Sequence, residues 1–560
     1  MEFPTITDYI VVGGGLTGCA VATRLAEHLG PSVSVLLVEA GPDPSGNPNT
    51  TTPMAGFALE GSELDWSYPS SPIPTINDRV LKNPAGKTLG GGSVLNYGGW
   101  ARGDASDYDA WAKIVRDERW SYDGLLPYMK RSEKFNKLDA NADSQQHGFD
   151  GPIKVTGISA SDPKRRYPLR EPLQKAWAEI GVERVPASSG KLAGLSEFLE
   201  TWDNGIRQPA HLAYGLAGVD VRTEIAVHKV LFESLPGQTP RATGILLADG
   251  RQIQARKEII LATGALRTPQ LLQLSGVGPA ALLARHSIPL IYDSPGVGAN
   301  LFDHFALFQV FQLRHPERGL ALGHPALADP AFVKGLPLDW VVNEALPPSL
   351  LKQAVADDGD PDDTQDLGKT GRTHAETMIL YIPYVPGLPF DGTYIATSVM
   401  LTLPTSRGTV GLTSASPTDP PVIEPNYFAT AMDRAALVHG ARRLLQCLTG
   451  TTVGQDLVET EVAPVPGMKP LTLESSTEEI EERVRAVGSP HFHAAGTCAL
   501  GSVVDAELRV RGVEGLRITD ASIFPAPLGG HPQATLYAIA ERAVAMIAGE
   551  KDEFVKTGQV

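Results

Sequence analysis

Cysteine is scarce in this chain, and long apolar runs and an excess of positive charge are missing. The 560 residues include only Cys19, Cys447 and Cys498, too few for a disulfide framework or a cysteine-based metal cluster. No apolar run approaches the roughly 18 residues that a membrane-spanning helix needs. The net charge of −16 disfavours nucleic acid and anionic membranes as partners.

Targeting signals are also missing from the two ends of the sequence. The first residues, MEFPTITDYI, carry neither the basic segment nor the apolar core of a secretory signal, and the last, KTGQV, carry no peroxisomal tripeptide. We therefore expect a reducing, cytoplasmic location. The 42% hydrophobic and 20% charged residues are typical of a globular protein, and the length predicts two or more domains.

Residues 9–41 have the pattern of a dinucleotide-binding βαβ unit. A short β-branched strand precedes Gly13, Gly15 and Gly18 in a G-x-G-x-x-G motif, which opens an apolar helix. A second strand ends at Glu39, 21 residues after Gly18. The glycines admit a pyrophosphate to the helix N-terminus, and the acid suits ribose hydroxyls, which favours FAD or NAD over NADP. A glycine-rich turn without a ligand is the alternative, which the order of these features disfavours.

A second glycine-rich stretch, KTLGGGSVLNYGGWARG, occupies residues 87–103. Its glycines allow backbone to lie directly against a flat ligand. A flexible linker is the other interpretation. Apolar residues such as Leu89 and Trp100 interrupt the stretch, which disfavours a linker.

Six separated motifs together resemble the glucose-methanol-choline (GMC) flavoprotein oxidoreductases. In chain order they are VVGGGLTG…VEAG (11–41), KTLGGGSVLNYGGWARG (87–103), GALRTPQLLQLSGVGP (264–279), GVGANLFDH (296–304), HFHAAGT (491–497) and LRITDASIFP…GGHPQAT (516–535). The resemblance implies FAD as cofactor and an α/β fold. That fold joins a Rossmann-type FAD-binding domain, built from separated segments, to an α+β substrate domain with a large antiparallel sheet.

The same resemblance suggests approximate domain boundaries. The FAD-binding domain is expected to comprise residues 1–160, 205–305 and 485–560. The substrate-binding domain is expected to comprise residues 161–204 and 306–484.

The resemblance also implies which residues contact FAD. These are Gly13, Gly15, Leu16, Thr17, Gly18, Glu39, Ala40, Leu89, Gly91, Ser93, Asn96, Tyr97, Gly98, Gly99, Val227, Gly264, Asp520, Ala521, Pro532, Gln533 and Ala534. Pro532 is expected at the first position of a final helix, which would direct its positive end at the flavin. Some members attach FAD through a histidine in the second motif, where this chain has Leu95. We therefore expect FAD to be bound non-covalently.

Three of the 13 histidines fall in the C-terminal motifs. Alcohol oxidation by hydride transfer to flavin needs a base for the hydroxyl proton, and histidine suits that role because its pKa lies near neutral pH. His493, in H-x-x-G-T, matches the catalytic base of the family. His531 matches a second histidine or asparagine beside the substrate hydroxyl, and the two could titrate as a unit.

The substrate class has fewer indicators. Phe492 and Tyr97 occupy positions where aryl-alcohol oxidases, which these motifs resemble, carry aromatic residues. His491 is a further candidate for the pocket, with a structural role equally open. We expect oxidation of an aromatic, benzylic or polyketide-like alcohol to an aldehyde or ketone, in secondary metabolism. The electrons would pass to O₂, giving H₂O₂, or to another acceptor. The sequence does not indicate an oligomeric state.

Two alternatives remain open from sequence. An FAD-containing lyase of the hydroxynitrile-lyase type would use the histidines for acid–base chemistry alone. A flavin-binding scaffold would have no catalytic role for them. The acidic run at residues 357–366 is interpreted as a solvated loop or lid, with metal binding as the less favoured interpretation. We predict no metal site.

Overall fold

Two seven-stranded sheets organise the chain. The computed structural model describes residues 3–360, 366–369, 371–383 and 387–550. The helices of the described residues are Leu16–Leu29, Gly92–Leu95, Ala105–Val115, Tyr122–Ser132, Ile158–Ser161, Arg170–Glu179, Ala210–Tyr214, Gly264–Leu274, Ala280–Arg285, Pro348–Asp357, Ala431–Leu445, Thr452–Leu457, Thr477–Val487 and Gln533–Ala548. Within this part of the chain, no helix is long and apolar enough to cross a membrane.

The first sheet is assembled from three distant parts of the chain. In spatial order its main strands are Val227–Glu233, Arg241–Leu247, Gln252–Leu261, Ile6–Val12, Val35–Val38 and Val219–Arg222, with Leu516–Ile518 also paired to Gln252–Leu261. The strands around Ile6–Val12 run parallel to it, and Val227–Glu233 and Arg241–Leu247 form an antiparallel edge. This is the Rossmann-type sheet of separated segments that the sequence predicts.

The first helix is buried on nearly all sides, because it packs both on this sheet and on the helices Ala210–Tyr214 and Gln533–Ala548. Cys19, Val21 and Leu25 of Leu16–Leu29 are fully buried, as are Ile10 and Val11 of the strand before it. Strands buried on both faces read as continuous apolar runs, which explains why the β-branched run near residue 10 predicts a parallel strand.

The second sheet is antiparallel. Its strands, in spatial order, are Val458–Val462, Phe305–Leu313, Tyr394–Leu401, Ala375–Leu380, Trp340–Glu344 and Gly194–Glu197, with Ser489–Pro490 also paired to Phe305–Leu313. The smaller strands are Tyr68–Pro69 with Lys82–Asn83, Val277–Gly278 with Tyr292–Asp293, Thr409–Leu412 with Pro421–Glu424, and the trio Glu133–Phe135, Ile153–Gly157 and Leu199–Glu200. The predicted fold class is confirmed; the domain boundaries stay a prediction.

Candidate active site

A cavity of about 420 Å³ connects the two sheets. At one end it meets Val12, Val38 and Ala262, where three parallel strands of the first sheet finish. At the other end it meets Phe308 and Met378 of the antiparallel sheet. Ligands of open α/β sheets bind at the carboxyl ends of the strands, so this cavity is placed where a nucleotide cofactor is expected.

The G-x-G-x-x-G turn forms one wall of the cavity. Gly13 has a φ of +97°, and a Cβ on it would lie 2.5 Å from the carbonyl oxygen of Ala262. A Cβ on Gly18 would lie 1.9 Å from the carbonyl oxygen of Gly13, so Gly18 lets the helix pack on the strand and does not itself line the cavity. Gly15, Leu16 and Thr17 do line it.

The first helix begins at this wall with free backbone donors. Gly15 precedes the helix and supplies no side-chain cap. A Cβ on Gly15 would meet nothing nearer than 3.8 Å, so the backbone here is open to a ligand. An uncapped helix N-terminus beside an open glycine is an anion-binding arrangement, and it fits the pyrophosphate of a dinucleotide.

Glu39 closes the predicted ribose end of the site. Its carboxylate accepts hydrogen bonds from the backbone N–H of Gly14 at 2.7 Å and of Gly41 at 2.8 Å. Burial raises the pKa of this carboxyl to about 7, against those two hydrogen bonds. Glu39 and Ala40 both line the cavity.

The second glycine-rich stretch lies against the first. A Cβ on Gly91 would lie 2.6 Å from the Cα of Gly15, so the two loops touch through their backbones. Four of the predicted residues of this stretch line the cavity: Gly91, Asn96, Tyr97 and Gly99.

Three predicted cofactor residues of this stretch lie outside the cavity lining: Leu89, Ser93 and Gly98. The Ser93 hydroxyl instead donates to the carbonyl oxygen of Gly90 at 2.6 Å and accepts from the N–H of Ala210 at 2.8 Å. Gly98, at a φ of +74°, gives room to the ring of Trp202. These residues hold the loop in shape.

Val227, Gly264, Asp520 and Ala521 also line the cavity. Asp520 accepts from the N–H of Gly264 at 2.9 Å and from the Thr268 hydroxyl at 2.6 Å. These hydrogen bonds fix the first turn of helix Gly264–Leu274.

The last helix also begins at the cavity. It spans Gln533–Ala548, and Pro532 is its N-cap, one position before the predicted one. Pro532 and Gln533 line the cavity, whereas Ala534 is buried behind them. Gln533 bonds to the second loop, accepting from Asn96 and donating to the carbonyl oxygen of Gly99.

The three predicted histidines converge in front of that helix. The ring centroids of His493 and His531 are 4.9 Å apart, and His491 lies 5.2 Å and 5.6 Å from them. All three line the cavity together with Phe492 and Tyr97. Phe492 adopts a φ of +65°, an uncommon backbone conformation for an aromatic residue, and is 37% exposed.

Sequence reasoning missed two partners of these histidines. Glu376, in strand Ala375–Leu380, has its carboxylate 2.8 Å from Nε2 of His531. His304 has Nδ1 2.9 Å from Nδ1 of His493. His304 ends the GVGANLFDH motif, so a signal existed for it. Glu376 lies in an ordinary strand pattern, which contains no sequence signal for a role in the site.

These partners give the two catalytic candidates opposite electrostatics. Burial, and then the neighbouring His531, hold the pKa of His493 well below its usual range. Burial also opposes the charge on His531, but the Glu376 carboxylate and its hydrogen bond raise the pKa of His531 above its usual value. These surroundings favour the neutral form of His493 and the charged form of His531.

No group of three or more metal-ligating side chains occurs among the residues that the structure describes. Residues 361–365 of the acidic run lie outside the described residues.

The comparisons with known proteins agree with this architecture. Two family models, both described as GMC oxidoreductase, match residues 7–306 and 404–540. The chain belongs to the GMC oxidoreductase family. The GMC-type oxidoreductase acuG of Aspergillus aculeatus is 40% identical over 551 residues, covering 97% of this chain and 99% of that protein.

Two further matches extend the GMC assignment. Patulin synthase of Penicillium expansum is 32% identical over 607 residues, covering 97% of this chain and 91% of that protein. The crystal structure of formate oxidase superposes with a TM-score of 0.86 at 30% identity, covering 98% of this chain and 99% of that one. The predicted family and enzyme class are thus confirmed: this GMC protein is an FAD-dependent oxidoreductase.

Proposed function

We propose that the protein oxidises the hydroxyl of an aromatic or polyketide-like alcohol to an aldehyde or ketone, with His493 as the base. The observation that supports this most is that the rings of His493 and His531 lie 4.9 Å apart in one cavity, with the Glu376 carboxylate bonded to His531. Groups whose environments separate their pKa values in this way are typical of acid–base catalysis. The family and the open glycine-lined wall supply the place for the cofactor.

FAD fits the residues that surround the cavity. Gly15, Leu16 and Thr17 would hold its pyrophosphate, Glu39 its ribose, and the loop containing Gly91 its flat ring. When bound, the flavin supplies the hydride acceptor. The N-terminus of helix Gln533–Ala548 carries no side-chain cap, so its dipole and free N–H groups favour negative charge beside it.

The two histidines divide the work of handling the hydroxyl group. His493 is neutral, so it can accept the hydroxyl proton. His531, whose charged form the Glu376 carboxylate favours, donates a hydrogen bond to the same oxygen and stabilises the negative charge that develops on it. A base of this kind contributes roughly 10²- to 10⁴-fold to the rate.

The cavity wall around the histidines favours an apolar, planar substrate. It is lined by aromatic and large aliphatic side chains: Phe57, Tyr97, Phe198, Phe308, Leu336, Met378, Leu380 and Phe492. Glu60 is the exposed carboxylate at this end, and it accepts a hydrogen bond from the Tyr97 hydroxyl at 2.8 Å. The match to patulin synthase supports a role in secondary metabolism. The electrons pass to O₂ or to another acceptor.

We expect FAD to be released intact when the protein is precipitated with acid. Leu95 lines the cavity at the position where some family members carry the attached histidine, and it has no nucleophilic atom. The measurement is the flavin absorbance of the supernatant and of the washed pellet. Flavin that stays with the pellet would show a covalent link and contradict this expectation.

Replacing Glu376 with Gln should move the alkaline limb of the kcat/KM profile to lower pH. The carboxylate raises the pKa of His531, which also faces His491, His493 and His304; activity that needs protonated His531 is lost as pH rises through that pKa. Loss of a close opposite charge shifts a pKa by about 1–3 units, here downward. Glu424→Gln, which removes a carboxylate bonded to Thr409, is the matched control. An unmoved limb in Glu376→Gln would exclude the proposed role of His531.

The experiment that tests the proposed function is anaerobic mixing of the holoenzyme with a panel of candidate substrates. The panel contains benzylic, allylic, aliphatic and sugar alcohols, choline and formate. Bleaching of the flavin bands by the benzylic or allylic members supports the proposal, and admitting air then distinguishes an oxidase from a dehydrogenase. Bleaching by choline or formate alone would overturn the proposed substrate class.

A further inference from the structure

The contact between Glu376 and His531 joins two segments that are far apart in the chain. Oε1 of Glu376 lies 2.8 Å from Nε2 of His531, and these side chains are 2% and 14% exposed. Gly529 and Gly530 precede His531 in a segment that is neither helix nor strand. The contact therefore depends on what holds this segment against strand Ala375–Leu380.

The carboxylate of Asp107 binds both segments at once. Its Oδ2 accepts a hydrogen bond from the backbone N–H of Gly529 at 2.7 Å, and its Oδ1 accepts from Nε of Arg372 at 2.9 Å. Gly529 lies two residues before His531, and Arg372 lies four residues before Glu376. Asp107 is fully buried and is not among the residues that line the cavity. This carboxylate thus lies behind the site and joins the two segments that meet in it.

A second buried carboxylate strengthens the same junction. Asp104 accepts from the backbone N–H of Thr373 at 3.0 Å and from its hydroxyl at 3.1 Å. A Cβ on Gly529 would lie 3.0 Å from the Thr373 hydroxyl oxygen, so the two segments pack closely here. The N–H of Asp104 donates to Asp107 at 3.2 Å, and both aspartates belong to one turn at the start of helix Ala105–Val115.

We propose that Asp107 is a positioning residue that holds His531 against Glu376. The bonds form a closed chain of contacts that leads from Asp107 through Gly529 to His531. It continues across to Glu376 and returns along the strand to Arg372, whose guanidinium binds Asp107. Breaking this chain at Asp107 allows the two segments to separate, and the attraction between opposite charges falls with their distance. The consequence for catalysis rests on the proposed function, in which His531 stabilises the charge that develops on the substrate oxygen.

The test is the pKa of the His531 ring, measured by NMR on the ¹⁵N-histidine-labelled holoenzyme, with His531→Gln identifying its signals. We expect Asp107→Asn to lower this pKa on the order of one unit, because the new amide nitrogen faces one of the two donors and the Glu376 carboxylate moves away. Arg372→Gln should lower it as well. Removal of a positive charge acts through space to raise the pKa of a nearby histidine, so a decrease in Arg372→Gln reports the lost position.

The matched control is Asp433→Asn. Asp433 is also a fully buried aspartate at the third residue of a helix, Ala431–Leu445, but it accepts from the N–H of Thr405 at 2.8 Å. Its replacement should leave the pKa of His531 unchanged. The other groups that face the His531 ring are chemically the same in the Asp107, Arg372 and Asp433 variants: His491, His493, His304 and Glu376.

A double-mutant cycle provides the second readout. Once Glu376→Gln has removed the carboxylate, adding Asp107→Asn should shift the pKa of His531 little further. The alkaline limb of kcat/KM should move to lower pH in Asp107→Asn and in Arg372→Gln, because activity that needs protonated His531 is lost as pH rises through its pKa.

Three results would overturn the proposal. They are an unchanged pKa in Asp107→Asn, an unchanged or raised pKa in Arg372→Gln, and an undiminished effect of Asp107→Asn in the Glu376→Gln background. If Asp107→Asn does not fold, the sign of the shift in Arg372→Gln decides. If the pKa follows Asp107 but His531→Ala keeps full activity, the positioning role stands and the proposed role of His531 is wrong.

Discussion

Replacing His493 with Ala is expected to lower kcat for alcohol oxidation on the order of 10³-fold while FAD stays bound. The reason is that His493 lines the cavity and that burial, and then the neighbouring His531, lower its pKa and favour the neutral ring that can accept a proton. His493 is not one of the residues assigned to FAD, so its replacement should leave the cofactor in place. The measurement is the rate of anaerobic flavin bleaching by the best alcohol of the panel, with FAD content determined on the same sample.

The matched control for this change is His439→Ala. His439 is a half-buried histidine on helix Ala431–Leu445, so its removal reports the general cost of truncating a histidine. His531→Ala completes the set. Full activity in His493→Ala combined with loss of activity in His531→Ala would show that the base is His531 and that the assignment to His493 is wrong.

Replacing Gly18 with Ala is expected to weaken FAD binding on the order of 10- to 100-fold. The added Cβ would lie 1.9 Å from the carbonyl oxygen of Gly13, closer than any real contact, so helix Leu16–Leu29 must move away from the strand. Such overpacking costs about 1–3 kcal/mol, and each 1.4 kcal/mol lost from binding is tenfold in Kd. The movement displaces the helix N-terminus that is placed to hold the pyrophosphate.

The measurement is the Kd of the apoprotein for FAD, with the thermal midpoint of the holoprotein recorded alongside. Gly411→Ala is the control, because a Cβ at Gly411 meets no atom within 4 Å. Unchanged FAD affinity in Gly18→Ala would mean that the close packing of this helix does not determine cofactor binding.

Local sequence order predicts the cofactor half of the site well. Strand, glycines, helix and acid follow one another within 9–41, and neighbouring residues in the chain remain neighbours in this βαβ unit. The sequence does not predict which residues of a recognised loop face the cavity and which bind to the protein itself. Ser93 lies in the second motif, yet its hydroxyl is used to bind Gly90 and Ala210.

The partners of the histidines show the limit of the sequence more clearly. Glu376 lies 155 residues before His531, and only the pairing of the antiparallel sheet brings its strand over the cavity. His304 lies 189 residues before His493, and it meets that ring because residues 302 and 495 pair their backbones. Contacts that depend on tertiary pairing leave no periodic signal in either strand, so they had to be read from the structure.

The most direct measurement of the central claim is the effect of α-deuteration on anaerobic flavin bleaching. The holoenzyme is mixed with a benzylic alcohol that carries hydrogen or deuterium on its hydroxyl-bearing carbon. Oxidation by hydride transfer predicts bleaching with both, severalfold slower with deuterium, because that C–H bond breaks as the flavin is reduced. Turnover of a substrate without any bleaching would contradict the account and indicate acid–base chemistry of the lyase type.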